Sequence, residues 1–217
     1  MKILNLYAGI GGNRAKWEGE KHDITAVEIN NEIAQEYERL HPTDKVIVAD
    51  AHSFLRDNHE DYDFIWSSPP CPTHSSIRKA GAKNNQYEEK FPDMNLYEEI
   101  IFLKYFFNGN WVVENVNPYY RNDIKYKKSD FLIQPQDRAR HVFWSNFTIP
   151  EINVPTQHIH QGNNSDWRQY LGLEVKENWG TVKQRKVLRN AVHPKIGYEV
   201  FHSRNLKQSK LTKEASE

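Results

Sequence analysis

The chain of 217 residues has one cysteine, Cys71, and so cannot close an internal disulfide. It lacks the paired cysteines of a structural zinc site, and His158-Ile159-His160 has no cysteine or carboxylate at ligand spacing, so no metal is expected. No run reaches the roughly 18 apolar residues of a membrane span. The opening MKILNLYAGIGG has a single lysine and a short apolar run that ends in glycines rather than a small-residue cleavage site. It reads as a strand and not as a signal peptide. A free thiol survives in a reducing compartment, so a cytoplasmic protein with no membrane partner is expected. Neither sign of charge is in excess, with 29 Lys+Arg against 29 Asp+Glu. The halves differ, however: residues 1–120 hold 12 against 19 and residues 121–217 hold 17 against 10. A basic face for a polyanion would therefore come from the C-terminal part, a solvated surface being the plain alternative.

What is present is an alternation of short apolar runs and helix-like segments. KILNLY (2–7), ITAVEI (24–29), KVIVAD (45–50), DFIWSS (63–68) and WVVENV (111–116) have the length and composition of strands. Between them, NRAKWEGE could open a helix, NNEIAQEYERL is a helix capped by Asn30 or Asn31, AHSFLRDN is a short helix, and NLYEEIIFLKYFF is helical in period. That order predicts an α/β fold, a doubly wound and mostly parallel sheet. FLIQ (131–134) and HVFWSNF (141–147) have no helix between them and predict an antiparallel edge hairpin. Residues 148–182 are irregular in pattern, and a last helical segment, 183–204, is broken near Pro194. Trp66, Trp111 and Trp144 fall in strand patterns and are expected in the core.

Two places carry chemistry. Tyr7-Ala8-Gly9-Ile10-Gly11-Gly12 follows the first strand, and its glycines let a ligand approach the backbone. Glu28 and Asp50 close the second and third strands; each could cap a helix, and together they suit a nucleoside held at the sheet's carboxyl edge. The other place is Ser-Ser-Pro-Pro-Cys-Pro-Thr-His-Ser, 67–75. A lone thiol is most often a buried structural group. Cys71, however, ends the fourth strand, follows two stiffening prolines and precedes a polar stretch, 75–95, that is too long for an ordinary connection. A nucleophile at a strand end beside a lid is an enzyme arrangement. Glu114, at the end of the neighbouring strand, would share its crevice.

With these residues in view, the chain resembles the DNA (cytosine-5) methyltransferases. LYAGIGG is similar to the family's first motif, SSPPCPTHS to its catalytic motif and Glu114-Asn115-Val116 to its glutamate motif. Gln136-Asp137-Arg138-Ala139-Arg140 resembles its Gln-x-Arg-x-Arg motif, and Arg189-Asn190-Ala191-Val192 its last. Five motifs in the family's order cover most of 1–147 and 184–202. Arg189 stands where the family has glycine, and only about 35 residues occupy the place of a long target-recognition region. The resemblance divides the chain into a catalytic domain, 1–147 plus 183–203, a reduced recognition region, 148–182, and a charged tail, 204–217.

The resemblance also implies roles. Cys71 would add to C6 of cytosine, Glu114 would hydrogen-bond N3, and Arg140, with Arg138 as second candidate, would hold O2 or a phosphate. S-adenosylmethionine would lie against Tyr7, Ala8, Gly9, Ile10, Gly11 and Gly12, with Tyr7 stacking on adenine. Glu28 would take the ribose and Asp50 the adenine amino group, Asn190 and Ala191 would close the site from the last helix, and Ile29, Ala51 and Pro70 are further cofactor-binding candidates. The substrate would be a cytosine flipped out of DNA, and a protein partner could supply missing recognition surface. An RNA substrate, or a catalytically quiet nucleic-acid-binding subunit, are the alternatives; a nicotinamide oxidoreductase explains neither Cys71 nor Glu114.

Overall fold

A computed structural model describes residues 1–17, 21–75, 88, 91–118, 136–138, 141–154 and 163–206. Its strands are β1 (Lys2–Leu6), β2 (Asp23–Glu28), β3 (Lys45–Val48), β4 (Phe64–Ser67), β5 (Asn110–Val116), β6 (Gln136–Arg138) and β7 (His141–Ser145). They form one sheet in the order β3-β2-β1-β4-β5-β7-β6, parallel from β3 to β5, with β7 antiparallel to β5 and β6 antiparallel to β7. The expected α/β sheet with an antiparallel edge is therefore present, and it turns back on itself beside β1. At such a switch point the carboxyl ends of the strands open a crevice.

Successive strand residues point to opposite faces, and both faces are apolar. Ile3, Phe64, Trp66, Val112 and Phe143 share one face with Trp17, Ile196, Val200 and Phe201. Leu4, Leu6, Ile65, Trp111, Val113 and Trp144 share the other with Leu55, Ile100 and Leu103. Trp66, Trp111 and Trp144 are core residues, at most 1% exposed. The helices are α1 (Asn31–Leu40), α2 (Ala51–Asn58), α3 (Asn95–Phe106), α4 (Asn164–Leu171), α5 (Gly180–Asn190) and α6 (Pro194–Ser203). Asn30 starts α1 by accepting from the amides of Glu32 and Ile33, which satisfies two of its orphan donors. The break between α5 and α6 falls at 191–193, just before Pro194, as proline requires.

Four expectations change. NRAKWEGE opens no helix in its described part, residues 13–17. Arg14, Ala15 and Trp17 instead make successive turns back to Gly11, Gly12 and Arg14, because Trp17 is drawn into the core, where its indole N–H donates to the Gly197 carbonyl at 3.0 Å. The edge hairpin exists, but its outer strand is Gln136–Arg138 within the arginine motif; FLIQ lies outside the described residues. β3 ends at Val48, and Asp50 lies beyond it as the N-cap of α2, accepting from Ser53 N at 2.8 Å. The irregular reading of 148–182 missed α4, which starts with a reciprocal cap between Asn163 and Asp166. Trp167, Leu171, Leu173 and Val175 are buried with Ile10, Val187 and Leu188 in one cluster.

Gly197 shows how closely the last helix meets the first turn. A Cβ there would lie 2.6 Å from the Asn13 Cα and would overlap the Asn13 carbonyl oxygen. Asn13 in turn donates its side-chain amide to Asn5 in the middle of β1, at 2.8 Å. The C-terminal helices thus brace the glycine turn from below.

Candidate active site

The turn after β1 is held by its neighbours rather than by regular structure. Ala8 N donates to the Val27 carbonyl at 3.0 Å, and Gly9 N to Glu28 Oε2 at 3.0 Å; Glu28 Oε1 also accepts from Asn30 N at 2.9 Å. Glu28, 9% exposed, therefore joins the first turn to the start of α1. Gly9 has φ +56° and nothing within 4 Å of where a Cβ would project. A ligand can meet the backbone there, in a conformation that glycine adopts without strain.

Ala8, Ile10, Gly11, Gly12 and Ala51 are buried and build the floor of this end of the sheet, whereas Ile29, 68% exposed, Asp50 and Pro70 face outward. The hydrogen bonds from Ser53 hold the Asp50 carboxyl below its ordinary pKa, so it is an anion at neutral pH. The turn after α5 comes up to Gly12, where a Cβ would lie 3.0 Å from that of Ala191; Asn190, the last residue of α5, is exposed. Two carboxylates, an exposed aliphatic side chain and open space over Gly9 fit an adenosine with a charged tail.

Tyr7 is not a free ring. It has φ +54°, a left-handed conformation that costs an ordinary residue about 1–2 kcal/mol. Its hydroxyl donates to Glu99 Oε1 at 2.6 Å. Glu99 lies on α3 and is fully buried, and it also accepts from the Ser67 hydroxyl and sits 3.1 Å from His52 Nδ1. One carboxylate thus gathers the ends of β1 and β4 and the first turn of α2. Burial and the adjacent Glu99 push the Tyr7 phenol well above its ordinary pKa, and the bond to Glu99 raises that of His52. Sequence reasoning missed Glu99, because a glutamate inside a helical period reads as surface.

At the other end of the crevice, Cys71 is half-buried and Glu114 is 8% exposed. Burial, and then the facing Glu114 carboxylate, push the thiol up to about 11. Asn115, 1% exposed, donates its side-chain amide to the Pro69 carbonyl at 3.0 Å and accepts from Val116 N at 2.9 Å. His74 N and Ser75 N both return to the Cys71 carbonyl, at 3.0 and 3.1 Å. The nucleophile candidate is fixed from both sides. Glu114 Oε1 lies 2.6 Å from His141 Nδ1. The Arg138 backbone pairs with His141; its side chain, Arg140 and most of the polar stretch 75–95 lie outside the described residues. Among the described residues, no group of three or more His, Cys, Asp or Glu could hold a metal ion, and no helix is long and apolar enough to cross a membrane.

A family model for C-5 cytosine-specific DNA methylases matches residues 1–117, more than half of the chain. No curated protein matches it. Among solved structures it is similar to the Entamoeba histolytica methyltransferase EhMeth, with a TM-score of 0.56 and 10% identity over 96% of this chain and 99% of that one. At that identity the likeness shows the fold, that of a Rossmann-like methyltransferase. A mutant of the Spodoptera frugiperda DNMT2 aligns at 26% identity and a TM-score of 0.41, over 56% of this chain and 37% of that one.

Proposed function

Because the chain belongs to the C-5 cytosine-specific DNA methylase family, we propose that it transfers a methyl group from S-adenosylmethionine to C5 of a cytosine in DNA, through a covalent bond from Cys71 to C6. The observation that carries this reading is the pairing of Cys71 with Glu114 across the β4–β5 crevice, tied by Asn115. Glu28, Asp50 and the open backbone at Gly9 would hold the nucleoside and its amino-acid tail, and Ile29 would cover one side of the base. S-adenosylmethionine, when bound, supplies an electrophilic methyl group.

The chain's own residues do the rest. Cytosine C5 is a poor nucleophile until the ring is made electron-rich. The Cys71 thiol gives its proton to the Glu114 carboxylate, which passes it to N3 as the sulfur adds to C6, and the C5–C6 π pair becomes available at C5. After C5 is methylated, a base takes the C5 proton, the double bond re-forms, the C6–S bond breaks and the N3 proton returns through Glu114 to the departing sulfur. In the free protein the thiol keeps its proton at neutral pH, since its pKa is pushed up to about 11. A cation brought beside it by the arginine motif would lower that value. The target atom is buried in duplex DNA, so the base must be flipped.

Tritiated methyl transfer to a panel of DNA and RNA substrates tests the reaction and its substrate together. DNA carrying 5-fluorocytosine tests the adduct, because fluorine blocks the final elimination. Wild type is expected to be trapped covalently and Cys71→Ala not. Equal trapping by both overturns the nucleophile, and label in RNA but not DNA overturns the substrate.

A further inference from the structure

Glu114 is asked to exchange a proton with a flipped base, yet a glutamate side chain has three rotatable bonds and no reason of its own to hold one carboxyl oxygen toward the substrate. In the β5–β7 ladder Glu114 is opposite Phe143, and Val116 is opposite His141. His141 is thus the diagonal, same-face neighbour of Glu114, a spacing that long side chains bridge. The ring does so, with Nδ1 2.6 Å from Oε1. Among the described residues this is the one hydrogen bond that the Glu114 carboxyl makes.

The surroundings make it directional. Phe143, fully buried, lies beneath the imidazole with ring centres 6.1 Å apart. Cys71 faces Glu114 from the loop after β4. His193, flanked by Lys16 and Lys195, feels the charge of His141 from the α5–α6 turn. The His141 side chain is 23% exposed and that of Glu114 10%. The imidazole is thus the more exposed partner of the pair.

We propose that His141 is a positioning residue for Glu114: it pins one carboxyl oxygen so that the other meets N3 of the base. This rests on the methyl-transfer reading above. During addition Glu114 loses its proton to N3, and the carboxylate left behind accepts the His141 Nδ1–H. On elimination the proton leaves N3 through Glu114 for the departing sulfur, and the Glu114–His141 pair is as it began. His141 touches neither cytosine nor cofactor, so it should act on turnover and not on cofactor affinity.

The test uses the full chain and four variants, Glu114→Gln, His141→Ala, His141→Asn and the double variant Glu114→Gln with His141→Ala, checked for folding by thermal melts. A misplaced catalytic group costs on the order of 100-fold in rate. His141→Ala is therefore expected to lower kcat by about 10- to 100-fold, with KM for S-adenosylmethionine unchanged. His141→Asn, which keeps a donor near the Nδ1 position, should restore most of the loss. In the Glu114→Gln background His141→Ala should cost nothing further, because the two act as a unit. Wild-type kcat in His141→Ala, beside an inactive Glu114→Gln, overturns the positioning role alone. An active Glu114→Gln overturns the acid and with it this proposal. Independently of turnover, proton–nitrogen NMR should show the His141 Nδ1 resonance moving in Glu114→Gln, and an unmoved resonance also overturns the proposal.

Discussion

The side-chain amide of Asn115 donates to the carbonyl of Pro69 across 3.0 Å, and so ties the strand that carries Glu114 to the segment that carries Cys71. Two groups on separate strands can act on one base only if their spacing is fixed, and this bond fixes it from a residue that is 1% exposed. Asn115→Ala would leave the Pro69 carbonyl without its partner, at a cost of about 1–3 kcal/mol. Chemical denaturation should show that loss, and kcat should fall by more than stability alone explains. An active, unchanged variant would mean that the prolines set the spacing without help.

The thiol offers a second test. Burial raises the Cys71 pKa first and the Glu114 charge raises it further, to about 11. Alkylation by iodoacetamide, which follows the thiolate, should climb steeply with pH toward that value. Glu114→Gln removes a negative charge that opposes the thiolate, so the pKa must fall and alkylation near neutral pH must quicken. Well below its pKa, a thiol gains about tenfold in thiolate when that pKa drops by one, so an increase of about 3- to 10-fold is expected at about pH 8. Slower alkylation in the variant would show that the carboxyl does not face the sulfur.

Two glycines should respond to alanine in opposite ways. At Gly197 a Cβ runs into the backbone of Asn13, which cannot swing aside. Gly197→Ala should destabilise by about 1–3 kcal/mol or more, with the cofactor turn displaced. At Gly9 there is open space, so Gly9→Ala costs only the strain of φ +56°, about 1–2 kcal/mol. Its methyl group would instead occupy the ligand's approach, and S-adenosylmethionine affinity by calorimetry should fall more than Tm does. Unimpaired binding would place the ligand elsewhere.

Most of the sheet was legible because each strand is a short β-branched or aromatic run closed by glycine, proline or a helix cap, and because the parallel order follows from helices between strands. Cys71 and Glu114 could be placed on neighbouring strands for the same reason, Cys71 just after β4 and Glu114 two residues before the end of β5. Glu99 and His141 were not legible. Their roles depend on which elements become neighbours: Glu99 meets Tyr7 across 92 residues and His141 meets Glu114 across 27. Nothing local to either residue signals the contact. α4 was hidden by polar spacing, because its buried face is only Trp167 and Leu171, completed by residues of other elements.

His52 gives a pH signature whose sign is fixed by its cause. The bond to Glu99 raises its pKa in the folded state. Its contribution is therefore full below the ordinary histidine value of about 6.5 and is lost as pH rises through the folded value. His41, His74 and His193 are lowered by burial and act in the opposite sense, costing stability as pH falls. The difference between wild type and His52→Asn isolates the first effect. The gap in Tm should be widest near pH 6 and narrow by about pH 9; a gap that widens with pH would contradict the Glu99 contact.

The last prediction concerns how much sequence the protein reads. Each good bidentate contact to a base discriminates by about 1–3 kcal/mol, so a site of four or more base pairs needs several free polar side chains on a firm support. Buried Trp167, Leu171, Leu173 and Val175 supply the support. Among the described residues, free side chains are what is scarce. Asn163 caps α4, Asn164 donates to the Thr181 carbonyl at 3.0 Å, and Arg168 donates to the Gln184 side chain. Gln169 is left exposed, while Gln157, His158 and Gln161 lie outside the described residues. Recognition of about two to three base pairs is expected, or reliance on a protein partner for more. Phosphate contacts from the basic C-terminal part would then dominate, with affinity falling steeply as salt is raised. Bisulfite sequencing of DNA methylated by the purified protein decides it: a strict site of about five or more base pairs, read without a partner, would refute the expectation.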